Sequence, residues 1–154
     1  MLFSDFVLIC HLAIISWIDF RRSVIPNGLN VSLALSGLVV SIFFLDESML
    51  RVLIGSGATI AVFLLVSSTY SALRKRRGIG MGDVKFLGAA ATWVGIIGIP
   101  WVILIASISG LMFIVSASMR GEDVKTDSRL AFGPHLSLGL IVVWLLRDVI
   151  VMHS

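Results

Sequence analysis

Clusters of charged residues divide the sequence into five long apolar blocks. The blocks are approximately 2–18, 28–45, 52–73, 86–119 and 130–146. A helix that crosses the hydrocarbon core of a membrane needs about 20 predominantly apolar residues, at a rise of about 1.5 Å per residue. The pattern therefore predicts a protein built from membrane-spanning helices.

The fourth block is too long for one crossing. It runs for 34 residues, 86–119, without a charged side chain, which is about 51 Å of helix against a core about 30 Å thick. Gly95, Gly98 and Pro100 lie together in its middle, where a helix is expected to end and turn. The block therefore predicts two spans.

The sequence thus predicts an all-α membrane protein with six transmembrane helices in a single domain, 1–154. A soluble domain of 154 residues could not hide a composition that is 58% hydrophobic and only 14% charged. The predicted spans are 2–18, 28–45, 52–73, 84–98, 101–119 and 130–146.

The basic residues predict the orientation of these spans. Ten of the twelve Lys and Arg residues fall in the connections after spans one, three and five, and two fall on the other side. Because basic connections stay in the cytoplasm, both termini are predicted to be extracytoplasmic. The positive net charge is therefore explained by the orientation of the spans and by contact with membrane lipid, and it does not indicate nucleic-acid binding. The ten are Arg21, Arg22, Arg74, Lys75, Arg76, Arg77, Lys85, Arg120, Lys125 and Arg129, against Arg51 and Arg147.

Two aspartates lie at the predicted cytoplasmic edge of apolar spans. Asp19 ends the first span and Asp83 opens the fourth. A charged side chain at membrane depth costs roughly 2.5–3.5 kcal/mol on insertion scales, so each is a candidate functional residue. Two carboxyl groups that face one compartment can share a proton, which is the chemistry of an aspartic protease.

The surroundings of Asp83 favour its ionised form. The segment 80–85 has the pattern Gly-x-Gly-Asp-x-Lys. Gly80 and Gly82 carry no side chain, so another backbone can approach the carboxylate, and the positive end of a helix dipole favours negative charge there. The alternatives are that Asp83 only caps its helix and that Lys85 is an anchor at the membrane interface.

Asp19 is the better candidate for the protonated partner. It lies at the C-terminal end of a helix, where the dipole disfavours a carboxylate. Pro26 and Asn27 follow in a turn that starts the second span, with Asn27 expected to supply its cap. The alternative is a carboxylate at the membrane edge that Arg21 and Arg22 neutralise.

A third signal is Phe132-Gly133-Pro134 at the entry to the last span. Pro134 suits a first helical turn, and Gly133 permits an unusual bend before it. The functional interpretation is an irregular segment beside the active site that pairs with an extended substrate. The alternative is a simple helix start. His135 is nearby, but the scattered histidines and the single Cys10 predict no metal site and no cofactor.

Together these three motifs resemble those of the prepilin peptidase family of intramembrane aspartic proteases. The resemblance covers essentially the whole chain and implies that Asp19 and Asp83 are catalytic. It also implies a bacterial or archaeal cell membrane, an active site facing the cytoplasm, and prepilin and pseudopilin precursors as substrates. The sequence is most similar to the short branch that serves tight-adherence (Flp) pili, because it begins at the first catalytic span, so methyltransferase activity and zinc are not expected.

The mechanism expected from this pair is activation of one water molecule. An ionised Asp83 takes its proton while a protonated Asp19 polarises the scissile carbonyl. Two rivals from other classes remain: a small proton- or ion-coupled transporter, and a non-catalytic membrane assembly subunit. Transport favours carboxylates near the bilayer midplane in two similar halves, and the sequence has neither feature.

Overall fold

Five helices make up the part of the chain that the computed structural model describes, residues 2–74, 80–120 and 131–147. The all-α prediction is confirmed. Several residues in the charge pattern (Lys75, Arg76, Arg77, Lys125 and Arg129) lie outside the described ranges, as does the first residue of predicted span 130–146. The helices are α1 (Leu2–Arg22), α2 (Asn27–Phe44), α3 (Met49–Arg74), α4 (Met81–Met119) and α5 (Gly133–Leu145).

Four of the described helices, α1 to α4, are long and apolar enough to cross a membrane, and α5 is a shorter apolar helix. Large apolar side chains are exposed along their outer faces, as expected for surfaces that contact lipid instead of water. Examples are Phe3, Phe43, Leu73 and Met119. The length and apolarity of these helices fit a multi-pass membrane protein.

The connection from α1 to α2 is short and tightly turned. Ser23 has a positive φ of 49°, and Pro26 has an extended backbone that caps the N-terminus of α2. The carbonyl oxygen of Pro26 accepts the N–H groups of Leu29 and Asn30, at 3.1 and 3.3 Å. The prediction that Asn27 caps α2 is therefore wrong: Asn27 is the first helical residue, because proline already supplies the extended conformation that a cap requires.

Helix α4 is interrupted at Gly95, which has φ 69° and ψ 171°. This is a conformation that only glycine adopts without strain. The predicted break lay between 98 and 101, but Pro100 is inside the second stretch. There it is the fifth residue of the helix, where proline removes the N–H that would bond to the carbonyl of Ile96. The two halves are therefore 81–94 and 96–119, in place of 84–98 and 101–119.

The two halves of α4 run antiparallel. In a straight helix, Asp83 and Gly110 would be about 40 Å apart and could not both approach one place. Yet Asp83 lies within electrostatic range of Asp19, which bonds to Gly133, and Gly110 lies beside His135. The start of α4 and its second half at Gly110 therefore both lie near the start of α5, and the chain folds back at Gly95.

Helix α5 packs between α1 and the second half of α4. At one end of α5, Gly133 contacts Asp19. At the other end, the indole N–H of Trp144 donates to Oδ1 of Asp5 at 2.7 Å. Gly139 lies against the backbone carbonyl of Val102, so closely that no side chain would fit there. The first turn of α5 is therefore held at the same end of the bundle as the last turn of α1.

Small residues bring α3 and α4 together. Ser56 donates its hydroxyl to the backbone carbonyl of Gly88 at 2.8 Å, and Ile60 occupies the space where a side chain at Gly88 would lie. The alanines that follow Gly88 are buried. Close contact of backbones is the usual way in which membrane helices associate.

Candidate active site

Asp19 lies in the last turn of α1 and is only 5% exposed. Its Oδ2 atom accepts a hydrogen bond of 2.8 Å from the backbone N–H of Gly133, the first residue of α5. A buried carboxyl group needs such a partner, because an unsatisfied polar group away from water is costly. The free N–H at the start of a helix supplies it.

Only glycine fits at position 133, because the Asp19 side chain leaves no space for a Cβ atom. A Cβ atom added to it would lie 2.6 Å from Oδ2 and 2.8 Å from Cγ of Asp19. Gly133 does not have a positive φ, since Gly95 is the glycine with positive φ among the described residues, and the unusual bend before Gly133 stays a prediction. Pro134 is in the first turn of α5, as predicted, where its missing N–H is not needed. Phe132 caps the helix with its backbone and accepts the N–H of Leu136 at 3.0 Å.

Asp83 lies in the first turn of α4 and is partly buried. The N-cap of α4 is Gly80, so the alternative that Asp83 caps this helix is wrong. A Cβ atom added to Gly80 would lie 2.9 Å from Oδ2 of Asp83. The carboxylate therefore turns back over the backbone of Gly80, and a larger residue there would move it.

Asp19 and Asp83 come together at one end of the bundle. The two carboxyl groups lie close enough to interact electrostatically, although the residues belong to the end of α1 and the start of α4. Two carboxyl groups this close cannot both ionise easily, so one proton is readily shared between them. The geometry suits the activation of a water molecule by a pair of acids.

The segment 80–85 is fastened to the start of α2. The Lys85 ammonium donates to Oδ1 of Asn27 at 2.8 Å, and the Asn30 amide donates to the carbonyl oxygen of Gly82 at 3.3 Å. Lys85 thus has a protein partner, which the interpretation as a lipid anchor did not predict. Gly82 faces Ile25, and a Cβ atom there would be in ordinary contact at 3.4 Å.

Sequence reasoning missed Asn30. It is 4% exposed, and its Oδ1 atom has no hydrogen-bond partner in the protein. The signal was present in the sequence: a polar residue one turn after Pro26 on an apolar helix. Among the described residues, no group of three or more His, Cys, Asp or Glu side chains could hold a metal ion.

Comparison with known proteins gives a consistent result. A profile of the Type IV leader peptidase family matches residues 6–115. A prepilin leader peptidase/N-methyltransferase of Burkholderia pseudomallei is 32% identical over 136 residues, 88% of this chain and 44% of that protein. The protein of the same name from Escherichia coli K12 is 32% identical over 138 residues, 89% of this chain and 60% of that protein.

A shorter relative is matched over most of its length. Leader peptidase HopD of Escherichia coli is 31% identical over 128 residues, which are 82% of both chains. The chain spans about half the length of the other two relatives. No solved structure matches it. With the family profile covering more than two thirds of the sequence, the chain belongs to the Type IV leader peptidase family.

Proposed function

We propose that this chain is a membrane-embedded aspartic endopeptidase that removes the leader peptide from prepilins and pseudopilins. The observation that carries the proposal is the pairing of Asp19 and Asp83 at one end of the helical bundle. The names of the relatives supply the substrate class. Gly133 and Gly80 let the two carboxyl groups lie directly against the backbone, with no side chain in the way.

The proposed chemistry uses the pair to hold one water molecule. Asp83, near the positive end of the α4 dipole, is the ionised member and takes a proton from the attacking water. Asp19 carries the shared proton on Oδ1 while its Oδ2 accepts the Gly133 N–H. Asp19 polarises the scissile carbonyl and later gives its proton to the leaving amine. No covalent intermediate forms.

The proposed topology has six crossings, with the active site facing the cytoplasm. The two halves of α4, about 21 and 36 Å long, and α5, about 20 Å long, would each cross. The short first half of α4 and short α5 both start at the aspartate pair, where a locally thinned membrane would admit water. Arg21, Arg22, Lys85 and Arg120 lie at that end of their helices, which supports a cytoplasmic orientation.

A transporter is the less supported alternative. Transport sites that use carboxylates are expected near the bilayer midplane. Asp19 is in the last turn of α1 and Asp83 in the first turn of α4. Both carboxyl groups are thus at helix ends, where a cytoplasmic peptide could reach them.

The test is cleavage of co-expressed prepilins, with the mature N-terminus determined by mass spectrometry. Asp19→Asn and Asp83→Asn should each lower the cleavage rate at least about a thousandfold, because neither can exchange the proton. Asp5→Asn is the matched control: it removes a carboxylate from the other end of α1 but keeps an oxygen that can accept from Trp144. Substantial cleavage by either active-site variant contradicts the proposal.

A further inference from the structure

A histidine outside the aspartate pair fastens α5 to the second half of α4. Nδ1 of His135 lies 3.0 Å from Oγ of Ser109. The Ser109 hydroxyl itself donates to the carbonyl oxygen of Ala106, also at 3.0 Å. A hydroxyl has one proton, so while Ser109 donates to Ala106 its Oγ can only accept, and we assign the proton of the second contact to Nδ1 of His135.

The imidazole ring fills the space between the two helices. Its centre lies 5.9 Å from the ring of Phe113 and 6.2 Å from that of Phe132. A Cβ atom added to Gly110 would be 3.7 Å from both the imidazole and the Phe132 ring. The half-buried ring thus has aromatic neighbours from both helices, and its hydrogen bond with Ser109 crosses between them.

His135 is in the same first turn of α5 as Gly133, two residues further on. The position of this turn along α4 determines where the Gly133 N–H lies, and that N–H is the group bonded to Asp19. We infer that His135 is a positioning residue: its hydrogen bond to Ser109 holds the Gly133 amide against Asp19 in the proposed peptidase. The inference rests on the proposed function for its effect on cleavage.

Two amide substitutions test the hydrogen bond in the absence of the imidazole ring. His135→Asn places an amide N–H where Nδ1 is, and His135→Gln places it where Nε2 is. His135→Phe keeps the ring without the bond, and Ser109→Ala removes the acceptor. We expect the Gln, Phe and Ser109→Ala variants to lower kcat about tenfold with little change in KM. These substitutions displace the carboxyl group of Asp19 but leave the binding of the substrate unchanged. The Asn variant should stay within about threefold of wild type.

A second measurement does not depend on cleavage. Phe132-Gly133 is the one Phe-Gly pair in the sequence. Protein labelled with ¹³C-carbonyl Phe and ¹⁵N-Gly therefore gives a single correlated amide signal, that of Gly133, in detergent micelles. Loss of the short bond to Asp19 moves this amide proton upfield. We expect the signal to move in the Gln variant and to stay in place in the Asn variant.

The outcomes separate this inference from the proposed function. Wild-type rates and an unmoved Gly133 signal in the Gln and Phe variants overturn the positioning role. So does equal loss in all variants, Asn included, because that result means simple packing of the ring. If the wild-type protein cleaves no prepilin but the Gly133 signal follows the Asn–Gln pattern, the proposed function fails and the positioning contact stands.

Discussion

The backbone N–H of Gly133 donates to the side chain of Asp19 over 2.8 Å, between residues 114 positions apart in the chain. This bond joins the end of α1 to the start of α5. It satisfies a buried carboxyl oxygen with a helix N–H that has no partner within its own helix. One contact thus explains why a glycine motif near the end of the sequence belongs to the same site as an aspartate near the beginning.

Gly133→Ala is expected to disable the site. The new methyl group would lie 2.6 Å from Oδ2 of Asp19, so either the carboxyl group or the first turn of α5 must move. A displacement of about 1 Å costs on the order of a hundredfold in rate. We expect a loss of that size in prepilin cleavage, measured as the fraction processed against time.

The control for this substitution is Gly28→Ala, because a Cβ atom at Gly28 meets nothing within 4 Å. It should leave cleavage unchanged and help α2 slightly, since alanine is a better helix former than glycine. If Gly133→Ala cleaves at the wild-type rate, Asp19 does not act from the position in which it is seen.

The two glycines before Asp83 should differ in their tolerance of a side chain. A Cβ atom at Gly80 would lie 2.9 Å from the Asp83 carboxylate, whereas one at Gly82 would be at 3.4 Å from Ile25. We expect Gly80→Ala to lower the cleavage rate by about ten- to a hundredfold and Gly82→Ala by less than about threefold. Parallel rate measurements on the two variants decide this, and equal losses would mean that the space beside the carboxylate is irrelevant.

The sequence predicts the helical class and the residues that pair, but not the contacts that hold them. The long apolar blocks predict helices because a membrane leaves the backbone little other choice. The sequence predicts the pairing of Asp19 and Asp83 because the two spans between them bring the chain back to the same side of the membrane. The contact of Gly133 with Asp19 could not be derived, since nothing local to residue 133 indicates which carboxyl group its N–H will meet.

Predictions from local sequence were wrong where several neighbouring residues could each cap or interrupt a helix. Asn27 is a good capping residue by type, yet Pro26 already has the required extended backbone, which leaves the Asn27 side chain to bind Lys85. In α4, three breakers lie within six residues, and composition does not decide among them. Gly95 alone adopts positive φ there, and Pro100 lies inside the second half.

Lys85 and Asn27 are expected to act as a pair. Their hydrogen bond of 2.8 Å joins the start of α4 to the start of α2, but it is exposed to solvent. Such a bond contributes about 0.5–1.5 kcal/mol. We expect Lys85→Met and Asn27→Ala each to lower cleavage less than about tenfold, and the double variant to resemble the singles.

The measurement is a double-mutant cycle on cleavage rates, with Lys85→Arg as a variant that keeps a donor. Additive losses would mean that the two side chains act separately, as they would if Lys85 served only to anchor the helix at the lipid interface.

The break at Gly95 makes a prediction about topology. If α4 crosses the membrane twice, Met81 and Met119 are on the cytoplasmic side and Ile97 is on the outer side. All three side chains are exposed. Cys10 is the one cysteine of the chain, so Cys10→Ala gives a background in which Met81→Cys, Ile97→Cys and Met119→Cys can be labelled one at a time.

Intact cells treated with a membrane-impermeant maleimide should label position 97 and spare positions 81 and 119 until the membrane is opened. A single crossing by a straight α4 would instead put 81 and 119 on opposite faces, because the helix would be about 58 Å long. Labelling of just one of these two positions in intact cells would therefore exclude the hairpin. The same result would contradict the packing of the second half of α4 against the start of α5, where Gly133 donates to Asp19.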